Sequence, residues 1–188
     1  MSTTESGGRH TELSFPGPAT FFKAPYVPDL QAAGQADGGQ APNEFAYDVA
    51  FLGVPHDFAV GYRPGARFAP AAVRAASGRY ALPPQGYYDF ATHSYRLAGA
   101  RLADAGDVNL AQTEAQLNTE RMTAAARAVR RLARLPVFVG GDHYVSYPLL
   151  RAYHDVEDLH VVQLDAHLDY TDSRNDTRFA NSSPFRRA

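Results

Sequence analysis

VVQLDAHLDY, residues 161–170, carries the reading of this chain. An apolar run leads straight into Asp165, His167 and Asp169, three ionisable side chains spaced two apart. In an extended segment residues i, i+2 and i+4 project to one side. The three are therefore expected to point together while Ala166 and Leu168 turn away. Carboxylates gathered at the end of a buried strand are costly unless they are paired or bind a cation. Oxygen and imidazole donors without thiolates suit Mn²⁺, Fe²⁺ or Ni²⁺ better than a structural zinc.

A second segment ends the same way. PVFVGGD, residues 136–142, is an apolar strand closed by two glycines, and it delivers Asp142 and His143. Each half has an ordinary explanation: D-x-H occurs as a hydrogen-bonded surface pair, and Gly-Gly-Asp is a common turn. Their joint position, each at the carboxyl end of an apolar strand, is what points to a shared rim that holds metal.

Working outward, YDVAFLGV (47–54) reads as the first strand, and a loop rich in turn residues, PHDFAVGYRPGARFAP, follows it. The next helix starts at Pro70, whose missing N–H has no partner in a first turn anyway. A strand is expected at 100–108, marked by Leu102 and Val108, and the longest helix at about 113–134, with Thr113 and Gln116 as a capping box. Residues 144–154 read as a further helix and LHVVQLD (159–165) as a fourth strand. Strands alternating with helices imply βαβ units. The expectation is an α/β fold, three layers with a mainly parallel sheet covered on both faces, and ligands at the strands' carboxyl ends. Residues 1–45 are expected to form an arm and flexible loop, and 46–188 to belong to one α/β domain. Tyr62, Tyr80, Tyr87 and Tyr88 read as packing residues, and His10, His93, His154 and His160 as surface residues.

The composition fits this reading. The 188 residues carry a net charge of −2, so nothing suggests a nucleic-acid partner. Cysteine is absent, which excludes disulfides and thiolate metal sites. The first ten residues lack the basic and apolar regions of a secretory signal, and no apolar run is long enough to span a membrane. The expected compartment is the cytoplasm.

With these motifs in hand the chain resembles a known family. GGDH (140–143) and DAHLD (165–169) look like the first two metal motifs of the ureohydrolases: arginase, agmatinase, guanidinobutyrase and relatives. TFFKAPYVPDL (20–30) is similar to the N-terminal arm of the agmatinase-like branch, and GVPHDFAVGYRPGARFAPAAVRAAS (53–77) to its early loop and helix. The resemblance implies a binuclear manganese enzyme, with nickel as the alternative metal. It would release urea from a linear guanidino substrate through a metal-bridging hydroxide, and assemble as a homotrimer or homohexamer. Carried over, His143 and Asp169 would hold one metal, Asp165 would bridge both, His167 would bind the second, and Asp142 would steady the site from behind.

Two departures accompany the resemblance. The family's third metal motif, S-x-D-x-D, is absent, and the last recognisable strand is the fourth, so the chain reads as the N-terminal portion of a ureohydrolase, inactive and poorly soluble alone. In FANSSPFRRA (179–188), Asn181 stands where many relatives carry a histidine; asparagine can orient a substrate but cannot carry a proton. The alternatives are a non-catalytic, metal-binding or oligomer-forming relative, or a formiminoglutamase-like C–N hydrolase.

Overall fold

The computed structural model describes residues 17–29 and 45–188. The loop expected at 31–43, His10 and the start of the arm lie outside the described residues.

Three parallel strands form the sheet, in the order β4-β1-β5. They are β1 (Tyr47–Val54), β4 (Leu102–Asp107) and β5 (Ala133–Gly140). Between β1 and β4 come helix α1 (Ala69–Ser77) and a small antiparallel hairpin, β2 (Tyr87–Asp89) with β3 (Ser94–Arg96). Helix α2 (Ala115–Leu132) runs without a loop into β5, since Ala133 is already extended. Short helices α3 (Ser146–Arg151) and α4 (Pro184–Arg187) complete the set.

Alternation along β1 builds the layers. Ala50, Leu52 and Val54 point to one side and share a buried cluster with Met122 and Val129 of α2 and with Tyr144. Phe51 and Gly53 point to the other. There Phe51 stacks on Phe21 at 5.3 Å, and a side chain on Gly53 would meet Pro70 and overlap Asp107. Burying β1 on both faces removes most of its apolar side chains from water, each contributing about 1.5–3 kcal/mol. The sheet therefore has helices on both sides, and β1 is the strand buried between them from Ala50 to Val54.

The arm is locked to this sheet by charge as well as by packing. Buried Arg74 donates to Asp104 at 2.8 and 2.9 Å, to Asp107 at 2.7 Å and to the Gly106 carbonyl at 2.9 Å. Its guanidinium lies 4.3 Å from the Phe21 ring centre. Burial alone would lower the Arg74 pKa, but its bonds to Asp104 and Asp107 outweigh that and raise it. Asp104 also accepts from the Phe21 amide at 2.9 Å, and Tyr26 pairs alongside it in a parallel bridge. The extended arm read from the sequence thus extends the outer edge of β4.

Several expectations are corrected. LHVVQLD does not form a fourth strand: among the described residues nothing pairs with 159–165, and Leu164 is 97% exposed. An apolar run makes a strand only where a sheet edge satisfies its backbone groups. Instead Gln163 donates to the His167 carbonyl at 2.9 Å and closes a local loop. The sheet is not covered evenly either, because β5 is an edge strand, only half-buried from Pro136 to Gly140. The capping box fails as well. Thr113 has φ +63° and bonds to Gln112, whereas buried Asn118 reaches back to the Ala111 amide and carbonyl at 2.8 and 2.7 Å. An amide side chain thus satisfies the loop before the helix, the task the hydroxyl was expected to do. Tyr62, Tyr80 and Tyr87 are exposed rather than packed, whereas Tyr88, exposed on the hairpin, packs edge-on against Phe90 and Tyr95. His93, His154 and His160 lie on the surface as expected.

Candidate metal centre

Register decides how the site begins. β1 and β5 pair in parallel up to Val54↔Gly140. Two residues further along each chain stand His56 and Asp142, so they meet directly across the carboxyl end of the sheet. Asp142 accepts from His56 Nδ1 at 3.2 and 3.3 Å, from the Ala59 amide at 2.8 Å and from the Tyr144 amide at 3.1 Å. The Asp142 amide in turn donates to the His56 carbonyl at 2.7 Å. Gly141 permits that approach, since any side chain there would overlap the His56 carbonyl. One buried carboxylate thereby ties the β1 loop to the β5 loop and sets the base of His143.

Tyr144 anchors the next step. Fully buried, it shares a hydrogen bond of 2.7 Å with Thr119 of α2, and burial pushes its phenol up to about 12 despite that bond. The following turn, His143–Val145, then leads into α3. With its neighbours on either side fixed, the His143 ring lies edge-on to Phe185, 5.4 Å between centres.

The loop after residue 159 meets this histidine. His143 Nδ1 bonds Asp169 Oδ2 and lies 3.4 Å from Asp165 Oδ2. One ligand atom from each of His143, Asp165 and Asp169 falls within 4.8 Å of the other two. The extended segment expected at 165–169 is instead a turn. The Asp165 carboxylate accepts from the His167 amide at 2.8 Å, and Asp169 adopts φ +47°. That turn swings Asp165 and Asp169 toward His143 and sends His167 outward, 81% exposed at its side chain. His167 Nδ1 stands 3.6 Å from Asp165 Oδ1, the oxygen that faces away from His143. The His167 amide, helped by Gln163 and the two imidazoles and opposed by slight burial, holds the Asp165 carboxyl below its ordinary value.

The structure thus brings together His143, Asp165 and Asp169, places Asp142 behind them and leaves His167 on the far side of Asp165. An imidazole nitrogen and two carboxylate oxygens gathered this closely match a divalent cation that takes oxygen and nitrogen donors. Asn181 lies in a cleft with His56 and Tyr144, its backbone amide donating to the Ala59 carbonyl at 3.3 Å. The residue sequence reasoning missed is His56, only 2% exposed. Its signal was available: it follows the apolar strand 47–54 as His143 follows 136–140. Among the described residues no helix is long and apolar enough to cross a membrane.

Comparison with known proteins agrees with this architecture. A guanidinobutyrase from Pseudomonas aeruginosa is 33% identical over 186 residues, covering 93% of this chain and 50% of the relative. A human mitochondrial guanidino acid hydrolase is 35% identical over 144 residues, 74% of this chain and 39% of the relative. Among solved structures, proclavaminate amidino hydrolase from Streptomyces clavuligerus superposes with a TM-score of 0.72 at 27% identity, over 93% of this chain and 52% of that one. A Trypanosoma cruzi formiminoglutamase, solved with Mn²⁺, superposes with a TM-score of 0.64 at 25% identity, over 80% of this chain and 49% of the other. The chain spans about half the length of the curated relatives it matches. The arginase family profile matches residues 47–188, and the chain belongs to that family.

Proposed function

We propose that this chain carries the first metal-binding half of a hydrolase that releases urea from a linear guanidino compound. The observation that carries the reading is the convergence of His143, Asp165 and Asp169 at the carboxyl end of a parallel sheet. Manganese is the metal favoured by the donor set, with nickel as the alternative. Bound there, a divalent ion supplies a Lewis acid that lowers the pKa of water.

This chain's own residues do the positioning. Asp142 fixes the backbone from which His143 projects, and Asp169 sets the ring of His143. Asp165 presents one oxygen toward His143 and the other toward His167, an arrangement suited to a carboxylate shared between two ions. Asn181, in the cleft lined also by His56 and Tyr144, can donate or accept a hydrogen bond and so orient a guanidine without taking its proton.

Metal titration tests the reading without relying on turnover. The 188-residue chain is loaded with Mn²⁺, and free and bound ion are separated by electron paramagnetic resonance. Saturable Mn²⁺ binding that His143→Ala and Asp169→Asn abolish, with circular dichroism unchanged, is the expected result. Wild-type protein that is folded but binds no Mn²⁺, or variants that bind it equally well, would overturn it.

A further inference from the structure

At the opposite end of β5 from His143 lies another cavity, of about 630 Å³, and its lining is cationic. It forms where α2 runs into β5 and where the chain leaves α3, and none of Asp142, His143, Asp165 or Asp169 lines it. Arg127, Arg130 and Arg131 reach it from α2, and His154 and Asp155 from the stretch after α3. The three arginines are spaced i, i+3 and i+4, so the helix stacks them on one face. Like charges at that spacing repel and weaken a helix. The helix dipole favours Arg130 and Arg131, which lie in the last turn, but does little for Arg127, a turn earlier.

The neighbouring groups divide unequally among these cations. Arg130 takes both oxygens of Asp155, at 2.6 and 3.0 Å, and the Ala152 carbonyl at 2.8 Å. That ties the end of α2 to the loop after α3, and it engages the one acidic group among the described lining residues. Arg127 donates to His154 Nδ1 at 3.0 Å. A guanidinium has no acceptor, so this bond places the neutral ring's proton on Nε2 and leaves Nε2–H as a donor. Arg131 is exposed and has no hydrogen-bond or ion-pair partner among the described residues. Two positive charges, on Arg127 and Arg131, thus stand in one cavity with no acidic partner among those residues.

We infer that this cavity binds a phosphate dianion, free or as the monoester of a small molecule, between Arg127, Arg131 and His154. Two guanidinium charges balance a dianion, whereas a monocarboxylate would leave one of them unmatched. The forked donors of both arginines and the Nε2–H of His154 suit the several acceptor oxygens of a phosphate. A volume of about 630 Å³ lies within the range of small-molecule sites and leaves space for an esterified group beside the anion.

Titration of the 188-residue chain with inorganic phosphate and with methyl phosphate tests this, at about pH 8, where a monoester with a second pKa of about 6 is a dianion. Ionic strength is held constant, because surface charges are screened by salt. Amide chemical shifts report binding, and acetate is the monoanionic control. Phosphate is expected to shift Arg127, Arg131 and His154 saturably, and acetate to bind roughly tenfold more weakly or not at all. Tighter binding of methyl phosphate supports an ester as the ligand, and tighter binding of inorganic phosphate supports the free ion. Arg131→Ala removes an exposed side chain, so it should leave the fold and the Mn²⁺ titration unchanged while weakening phosphate binding roughly tenfold. Arg131→Lys should restore part of that loss, and Arg127→Ala should weaken binding at least as much as Arg131→Ala. Absence of saturable shifts with either phosphate, acetate binding equally well, or an affinity unchanged in both alanine variants would overturn the inference.

Discussion

Replacing Asp142 with alanine probes the joint on which the proposed site rests. The carboxylate is 4% exposed at the residue level and accepts from three donors: His56 Nδ1, the Ala59 amide and the Tyr144 amide. A buried donor left without a partner costs about 1–3 kcal/mol. The three donors share one carboxylate, and a water entering the vacated space would satisfy part of the loss, so the sum belongs near the low end. Asp142→Ala is expected to lower the unfolding free energy by about 3–5 kcal/mol. Asp142→Asn retains one acceptor oxygen and should cost about 1–2 kcal/mol. Urea unfolding followed by circular dichroism measures both. A loss below about 1 kcal/mol for alanine, or equal losses for the two variants, would refute the idea that this carboxylate joins the strand ends. If the alanine variant does not fold, Asp142→Asn still decides the matter. Its Mn²⁺ affinity should fall about 10- to 100-fold while its fold persists, as expected for a group that orients a metal ligand through the backbone.

Other outcomes follow from the packing. Arg74→Met leaves Asp104 charged and fully buried, so thermal or urea unfolding should show a loss of about 3–5 kcal/mol, reduced when Asp104→Leu is added. Tyr144 holds its proton more tightly folded than unfolded. Its contribution to stability is fully present below its ordinary value of 10.0 and is lost as pH rises from there through about 12. A pH series of unfolding free energies should show that alkaline decline, and Tyr144→Phe should flatten it while costing about 1 kcal/mol at neutral pH for the Thr119 hydrogen bond. Leu52→Ala, in the core, should cost about 2–4 kcal/mol, whereas Leu164→Lys, almost wholly exposed, should change stability by under about 0.5 kcal/mol and reduce binding of an apolar dye.

What the sequence by itself determined is the part governed by local pattern. The stretch 47–54 became β1 residue for residue, because its apolar residues and the turn-rich loop after it mark a strand locally. Pro70 opened α1, and Asp142, His143, Asp165 and Asp169 could be named because ionisable groups ending apolar runs are hard to explain otherwise. What only the tertiary structure decided depends on partners far along the chain. The apolar run within 159–165 suited a strand, yet a strand exists only beside another, and none of the described residues pairs with it. The same local ambiguity hid the turn at 165–169, where a carboxylate accepting an amide two residues on redirects His167 outward. His56 gained its partner from the register of β1 against β5, 86 residues away. The cleft that holds Asn181 likewise formed only when the segment near residue 175 folded against the loop near residue 58, because its lining comes from stretches far apart in the chain.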